Sequence, residues 1–274
     1  MRHNDFQRQS TVHDDGPGVL ITRVRGYAAF NTIFFAGRRS RVDAAAADLL
    51  GLQRGQAVLD IGCGPGAFAR VLAERVGPTG HVVGVDPSRQ MIDHATARAR
   101  RLLHCEFRVG TAQELDDPDE SFDAVTATFS MHHIPESRRD DALAQFFRVL
   151  RPGGRLLLAD MYPTDRIRPI TVRVLTRAMR HRHDEAGASD VARAVDPIAA
   201  VDVRNYAGAL RRAGFDEPAF HEIRPSTGCL VAVRPGPRGL AGRHGRRRRR
   251  PTRTARRSGL SRATRPSPTS PATA

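Results

Sequence analysis

Apolar and polar positions change their period repeatedly along the chain, and the changes mark out its elements. The alanine-rich stretch Val42 to Leu50 has helical propensity and stops at Gly51, a suitable C-terminal cap. Ala57 to Ile61 is a short apolar run closed by turn glycines, and Phe68, Val71, Leu72 and Val76 then fall at helical spacing: strand, glycine turn, helix. His81 to Val85 reads as the next strand, after which Ser88 can N-cap a helix whose inner face is Met91, Ile92, Ala95 and Ala99. Cys105 to Val109 and Phe122 to Ala127 are further strands. Ser137 is placed to cap a helix that buries Leu143, Phe146, Phe147 and Leu150, and Arg151-Pro152-Gly153-Gly154 ends it. Leu156 to Ala159 is continuously apolar, as expected of a parallel strand covered on both faces.

Past Asp160 the pattern predicts a helix over Arg168 to Arg182 and a loop over Asp184 to Pro197. Val203, Tyr206, Ala207 and Leu210 restore a helix that Gly214 ends, and two strands follow at Ala219 to Ile223 and Cys229 to Val233. Consecutive strands without a helix between them make a terminal hairpin. The alternation of strand and helix before it implies an α/β fold.

Charge alters the picture only at one end. The chain of 274 residues carries a formal +15, but Arg234 to Ala274 holds 13 arginines and no acidic residue. That leaves 31 arginines against 29 acids in residues 1–233, a net of 31 − 29 = +2. Residues 1–18 therefore read as a flexible arm, 19–233 as a single domain, and 234–274 as a disordered Arg/Pro-rich tail too poor in apolar side chains to offset its ordering entropy. Any contact with nucleic acid or an anionic surface falls to the tail, above all Arg246 to Arg250. Cys63, Cys105 and Cys229 lack metal-ligand spacing, and no window approaches the ~18 to 20 apolar residues that cross a bilayer. A metal-free protein of the reducing cytoplasm is the expectation.

The chemistry gathers around Val58 to Gly66. Glycines at 62, 64 and 66 let the backbone turn tightly and approach a ligand with no Cβ in the way. Gly62, Gly64 and Ala67 also satisfy the dinucleotide pattern G-x-G-x-x-G/A, and Asp86, at the end of the second strand, can accept hydrogen bonds from ribose hydroxyls in either reading. Asp60 separates the two. An acid just ahead of the turn would repel a pyrophosphate, whereas it would favour the ammonium of a methionine-derived ligand.

Four motifs in order carry a resemblance to a known family: Val58 to Gly66, Val83-Gly84-Val85-Asp86-Pro87-Ser88, Ser121-Phe122-Asp123-Ala124-Val125 and Arg148-Val149-Leu150-Arg151-Pro152-Gly153-Gly154. Over roughly Tyr27 to Val233 the chain resembles the class I S-adenosylmethionine-dependent methyltransferases, in particular the ubiquinone and menaquinone biosynthesis subgroup. The resemblance implies a Rossmann-like, mostly parallel seven-stranded sheet with helices on both faces and a C-terminal antiparallel hairpin. It also implies S-adenosyl-L-methionine as cofactor, held by Asp60, Gly62, Cys63, Gly64, Gly66, Asp86, Pro87, Met91, Thr111, Ala112 and Phe129. Asp86 would hold the ribose, Met91 would pack on the adenine, and the turn Gly110-Thr111-Ala112 would cover its edge. Thr111 departs from the aspartate often found there, and a hydroxyl accepts adenine amino hydrogens less strongly than a carboxylate does.

The acceptor would lie beyond the fourth strand, where His132 and His133 are the candidate catalytic residues and a solvated strand end is the bland alternative. Tyr162 is a further candidate for the acceptor pocket. Tyr27, Asn31 and Arg38 fall in the segment that folds over the cofactor in related enzymes. The expected activity is methyl transfer to a small, partly apolar or aromatic acceptor, with alignment supplying most of the acceleration. Three rivals stand beside it: a nicotinamide-dependent oxidoreductase, an RNA methyltransferase using the tail, and a binding module that keeps the fold without turnover.

Overall fold

The computed structural model describes residues 35, 37–162, 202–224 and 227–236. All of them belong to the first of two compact units, Met1–Pro237; the second, Arg238–Ala274, lies outside the described residues. So do the predicted arm over 1–18, Tyr27, Asn31, the helix over 168–182 and the loop over 184–197.

The helix α1 spans Arg39–Leu50 and ends on Gly51 in the left-handed conformation, the cap its sequence predicts. Then come β1 (Ala57–Ile61), α2 (Ala67–Val76), β2 (His81–Asp86), α3 (Arg89–Arg98), β3 (Cys105–Val109) and β4 (Phe122–Thr128). Ser88 caps α3 as its position suggests, accepting a hydrogen bond from Met91 N at 3.4 Å. After two 3₁₀ turns, Met131–His133 and Glu136–Arg138, the chain continues through α4 (Arg139–Val149) and β5 (Leu150–Met161). A 3₁₀ turn over Val203–Tyr206 leads into α5 (Ala207–Arg212), and β6 (Ala219–Ile223) and β7 (Thr227–Val233) close the fold.

The seven strands lie in the order β3-β2-β1-β4-β5-β7-β6. Pairings from β3 through β5 are parallel, and β7 runs antiparallel to both β5 and β6, so the terminal hairpin and the mostly parallel sheet are as the sequence implies. Successive strand residues serve opposite faces. Leu59, Ile61, Val125, Leu156 and Leu158 pack with Leu143 and Phe146 of α4 and Leu210 of α5, while Val58, Val82 and Leu157 pack with Leu50 of α1 and Phe68 and Leu72 of α2. Each such fully buried side chain contributes roughly 1.5 to 3 kcal/mol by leaving water.

Two local expectations are corrected. Ser137 does not cap α4: it sits inside the 3₁₀ turn, and Arg138 occupies the N-cap without a side-chain bond, leaving Asp140 and Asp141 to meet the positive end of the helix. The Arg-Pro-Gly-Gly run does not separate helix from strand, because β5 begins at Leu150. Leu150 pairs with Phe122 and Arg155 with Ala124, so residues 151–154 bulge out of the ladder. The bulge is tied down from beyond β7: Gly153 N donates to Arg234 O, Arg234 N donates to Gly154 O, and the Arg234 guanidinium donates to the carbonyls of Phe147, Arg148 and Leu150. No described helix is long and apolar enough to cross a membrane.

Candidate cofactor and acceptor site

The sheet reverses its strand order between β1 and β4, and the carboxyl ends there leave a crevice, the usual ligand position in an open α/β sheet. The glycine turn after β1 forms its floor. Gly62 N and Cys63 N both donate to Val85 O, at 2.8 and 3.1 Å, which holds the turn against the end of β2. Gly62 has φ +64°, and a Cβ there would stand 2.3 Å from Ser130 Cβ, so only glycine lets the chain leaving β4 pass this close. Gly66, at φ +73°, serves another purpose: a Cβ would meet the Phe107 ring at 2.8 Å and Ala95 at 2.9 Å, blocking the seat of α2 on the sheet.

The crevice is a cleft partly open to solvent. Its wall brings together Gly62, Gly64, Asp86, Pro87, Met91, Thr111, Ala112, Phe129 and His133, all singled out from sequence, with Gln113 and Ser130 in addition. Ser130 could have been found as the residue facing the glycine turn across β4. Gln113 carries no signal beyond its nearness to Thr111.

Asp86 accepts Gly64 N through Oδ2 and Ser88 N through Oδ1, both at 2.9 Å. Burial raises its carboxyl above the usual range, opposed by those two bonds. A carboxylate has about four acceptor positions, so two stay available to ribose hydroxyls. Phe129 adopts φ +54°, a costly conformation for a bulky side chain, with its amide donating to Ala159 O at 2.7 Å. Its ring meets Phe35 edge-on at 5.2 Å, and the Arg39 guanidinium lies 5.0 Å from both rings.

Four expected contacts stand behind the wall. Asp60 is fully buried beneath the turn: Oδ1 accepts the Thr126 hydroxyl at 2.8 Å, Oδ2 has no partner among the described residues, and burial pushes the carboxyl up to about 7. Cys63 is buried, its sulfur near the position that a Cβ on Gly84 would take, and burial raises its thiol well above the ordinary range, so it fills space and is not reactive. Gly66 serves helix packing. His132 turns away to Asp160, whose carboxylate oxygens lie 2.8 and 3.0 Å from its Nδ1.

Arg38 is exposed at the N-cap of α1. Its neighbour Arg39 instead lies toward the site, paired with Asp43 at 2.7 Å and close enough to Asp60 to lower its pKa against the burial effect. Tyr162 packs edge-on against Phe220 at 5.0 Å, with the Arg204 guanidinium 4.7 Å from its ring, and does not line the crevice. No cluster of potential metal ligands occurs among the described residues.

The residues suit a methionine-derived nucleoside. They offer a glycine turn on the crevice wall, an acidic residue at the end of β2 with acceptor positions to spare, and behind the wall a buried carboxylate oxygen without a partner among the described residues. Residues 58–154 match the model of the methyltransferase domain family. Over that segment the chain is similar to methyltransferase domains, and the seven-stranded, mostly parallel sheet around it is the architecture that the resemblance implies. Among curated proteins, the demethylmenaquinone methyltransferase of Listeria welshimeri is 38% identical over 114 residues, 41% of this chain and 48% of that protein. The demethylmenaquinone methyltransferase of Lactobacillus johnsonii is 33% identical over 164 residues, 58% of this chain and 64% of that one. The chain thus spans less than two thirds of either relative. A crystal structure of a SAM-dependent methyltransferase from Aquifex aeolicus superposes with a TM-score of 0.55 at 20% identity, covering 70% of this chain and 89% of that one, a likeness of fold.

Proposed function

We propose that the chain transfers a methyl group from S-adenosyl-L-methionine to a small, partly apolar or aromatic acceptor. The observation that carries this reading is a crevice at the strand-order reversal that collects Gly62, Gly64, Asp86, Met91 and Thr111 from the three chain segments that follow β1, β2 and β3. In this reading the turn at Gly62 and Gly64 receives the amino-acid end, Asp86 accepts the ribose hydroxyls, Met91 packs on the adenine, and Thr111 and Ala112 cover its edge. Pro87 and Phe129 complete the wall. Asp60 acts from beneath the turn through its field rather than by contact. When bound, the cofactor supplies a methyl group activated on a sulfonium.

His133 on the wall and His132 behind it stand on the acceptor side. The named activity of the Listeria and Lactobacillus relatives favours a flat, reduced-quinone type of acceptor. The free, buried cysteines Cys63, Cys105 and Cys229 suit a reducing compartment such as the cytoplasm. Titration calorimetry with S-adenosylhomocysteine should show saturable binding, and a labelled methyl donor should pass label to members of a panel of reduced naphthoquinones and catechols. Saturable binding of a nicotinamide cofactor alone would overturn the proposal.

A further inference from the structure

The part of the crevice wall that follows β3 is a tight turn. Thr111 and Glu114 pair across it in an isolated antiparallel bridge, which puts Ala112 and Gln113 at its corner. Gly110 N donates to Asp86 O at 3.2 Å and ties the turn to the end of β2. Ala112 is anchored in the core, and Thr111 and Gln113 line the crevice on either side of it. Gln113 is only 6% exposed, yet its amide makes no side-chain hydrogen bond with any described residue, and neither does the Thr111 hydroxyl. The acids that follow are turned elsewhere. The Glu114 side chain is 83% exposed and lies 3.9 Å from Arg138, Asp116 is exposed, and Asp117 is paired with Arg108. Asp86, at the end of β2, is the sole acid among the described residues that line the crevice.

Buried polar groups are nearly always paired, so an amide this enclosed and unpartnered on a crevice wall is available to a ligand. Its chemistry is two-sided. The amide offers N–H on one side and a carbonyl on the other, a half turn about its last side-chain bond exchanges them, and a hydroxyl likewise donates or accepts. Adenine presents an amino N–H beside a ring acceptor. A 6-oxo purine presents the reverse, a carbonyl beside a ring N–H. A carboxylate only accepts, so it would match the first and repel the second. We infer that Gln113, together with Thr111, reads the edge of the cofactor's purine, and that this edge takes a 6-oxo purine as well as a 6-amino one, so that the S-inosyl form is a ligand beside the S-adenosyl form. This rests on the proposed binding of S-adenosyl-L-methionine. Gln113 is a specificity-determining residue in this scheme and takes no part in the methyl transfer itself.

The test is titration calorimetry on the full chain with S-adenosylhomocysteine and its deaminated counterpart, S-inosylhomocysteine, with urea unfolding as the check that each variant is folded. The wild type should bind the two within about tenfold of each other. Gln113→Glu fixes the edge as an acceptor and should widen the preference for the adenosyl form by about tenfold or more, the discrimination that one oriented pair of hydrogen bonds supplies. Thr111→Asp reaches the same polarity from the other side of Ala112 and should widen it likewise. Gln113→Met keeps the length, removes both polar atoms and should weaken the two ligands alike, by about 3- to 30-fold. A wild-type preference above about tenfold, a ratio unmoved in both acidic variants, or wild-type affinities in Gln113→Met would overturn the inference. Failure of the wild type to bind S-adenosylhomocysteine would instead overturn the methyl-transfer reading beneath it.

Discussion

Replacing Asp60 by Asn tests the electrostatics of the site without any ligand. Desolvation is the largest influence on this carboxyl, partly offset by the Thr126 hydroxyl and reinforced by Asp43 and Asp86, and it raises the pKa from 3.8 to about 7. A shift of about 3 units corresponds to a cost on the order of 4 kcal/mol for holding the group ionised in the fold. The sign follows from proton binding. Between the two pKa values the folded state keeps a proton that the unfolded state has lost, so stability falls as pH rises through this window and levels off above about 7. Asn is uncharged throughout and can still accept from Thr126, but its amide N–H would stand unpartnered where Oδ2 does now, at a cost of about 1 to 3 kcal/mol. Urea unfolding should therefore find Asp60→Asn more stable than wild type by about 1 to 3 kcal/mol at high pH. The difference should grow by about 2 kcal/mol from about pH 5 to pH 7. A stability difference that stayed constant across that range would refute the reasoning, since it would mean that Asp60 does not titrate in the fold.

Other consequences can be measured in the same preparations. Gly62→Ala adds a Cβ against Ser130 at a positive φ and should cost about 2 to 5 kcal/mol in urea unfolding, together with loss of S-adenosylhomocysteine binding. Asp86→Asn exchanges a charged acceptor of two backbone amides for a neutral one and should weaken S-adenosylhomocysteine about 10- to 100-fold by calorimetry. A chain ending at Gly236 should unfold at the same urea concentration as the full protein, whereas one ending at Val233 should lose about 2 kcal/mol, because Arg234 ties the end of α4 to the β5 bulge and pairs with Glu120.

Much of this architecture was legible because local signals agreed with one another. The run Ala57 to Ile61, the glycines after it and the apolar spacing from Phe68 to Val76 leave little choice but strand, turn and helix, and Ser88 marks the start of α3 by a bond it does make. What the sequence hides is depth and direction. The charge of Asp60 is visible in it, but its position under Gly62 is not, because one residue along a strand decides which face a side chain takes. Arg38 and Arg39 look alike in sequence, and the docking of α1 alone turns the second toward Phe129 and the first to solvent. The partnership of His132 with Asp160 spans 28 residues and depends on the β4–β5 register, to which the bulge at Arg151 to Gly154 contributes. A turn-like composition gave no hint that those four residues interrupt a strand they belong to.

The carboxyl edge of the sheet carries three acids on three strands, and the fold treats them differently. Asp86 on β2 is met by two backbone amides, and Asp160 on β5 by His132 and a backbone amide. Asp60 on β1, between β2 and β4, receives one hydroxyl and keeps an oxygen without a partner among the described residues. Buried polar groups are nearly always paired, so a carboxylate oxygen behind the crevice wall with no partner among the described residues calls for an explanation that their contacts do not supply. Arg39 is the described cation whose charge reaches Asp60, yet it is already engaged by Asp43 and two aromatic rings. A positively charged ligand above the glycine turn would lower the Asp60 pKa and recover part of the free energy that its burial costs. The same ligand that the turn accommodates by shape would then be selected by charge. A dinucleotide pyrophosphate would face the opposite field, so in the proposed reading Asp60, unseen from the crevice, would discriminate between the two cofactors that the glycine spacing alone admits.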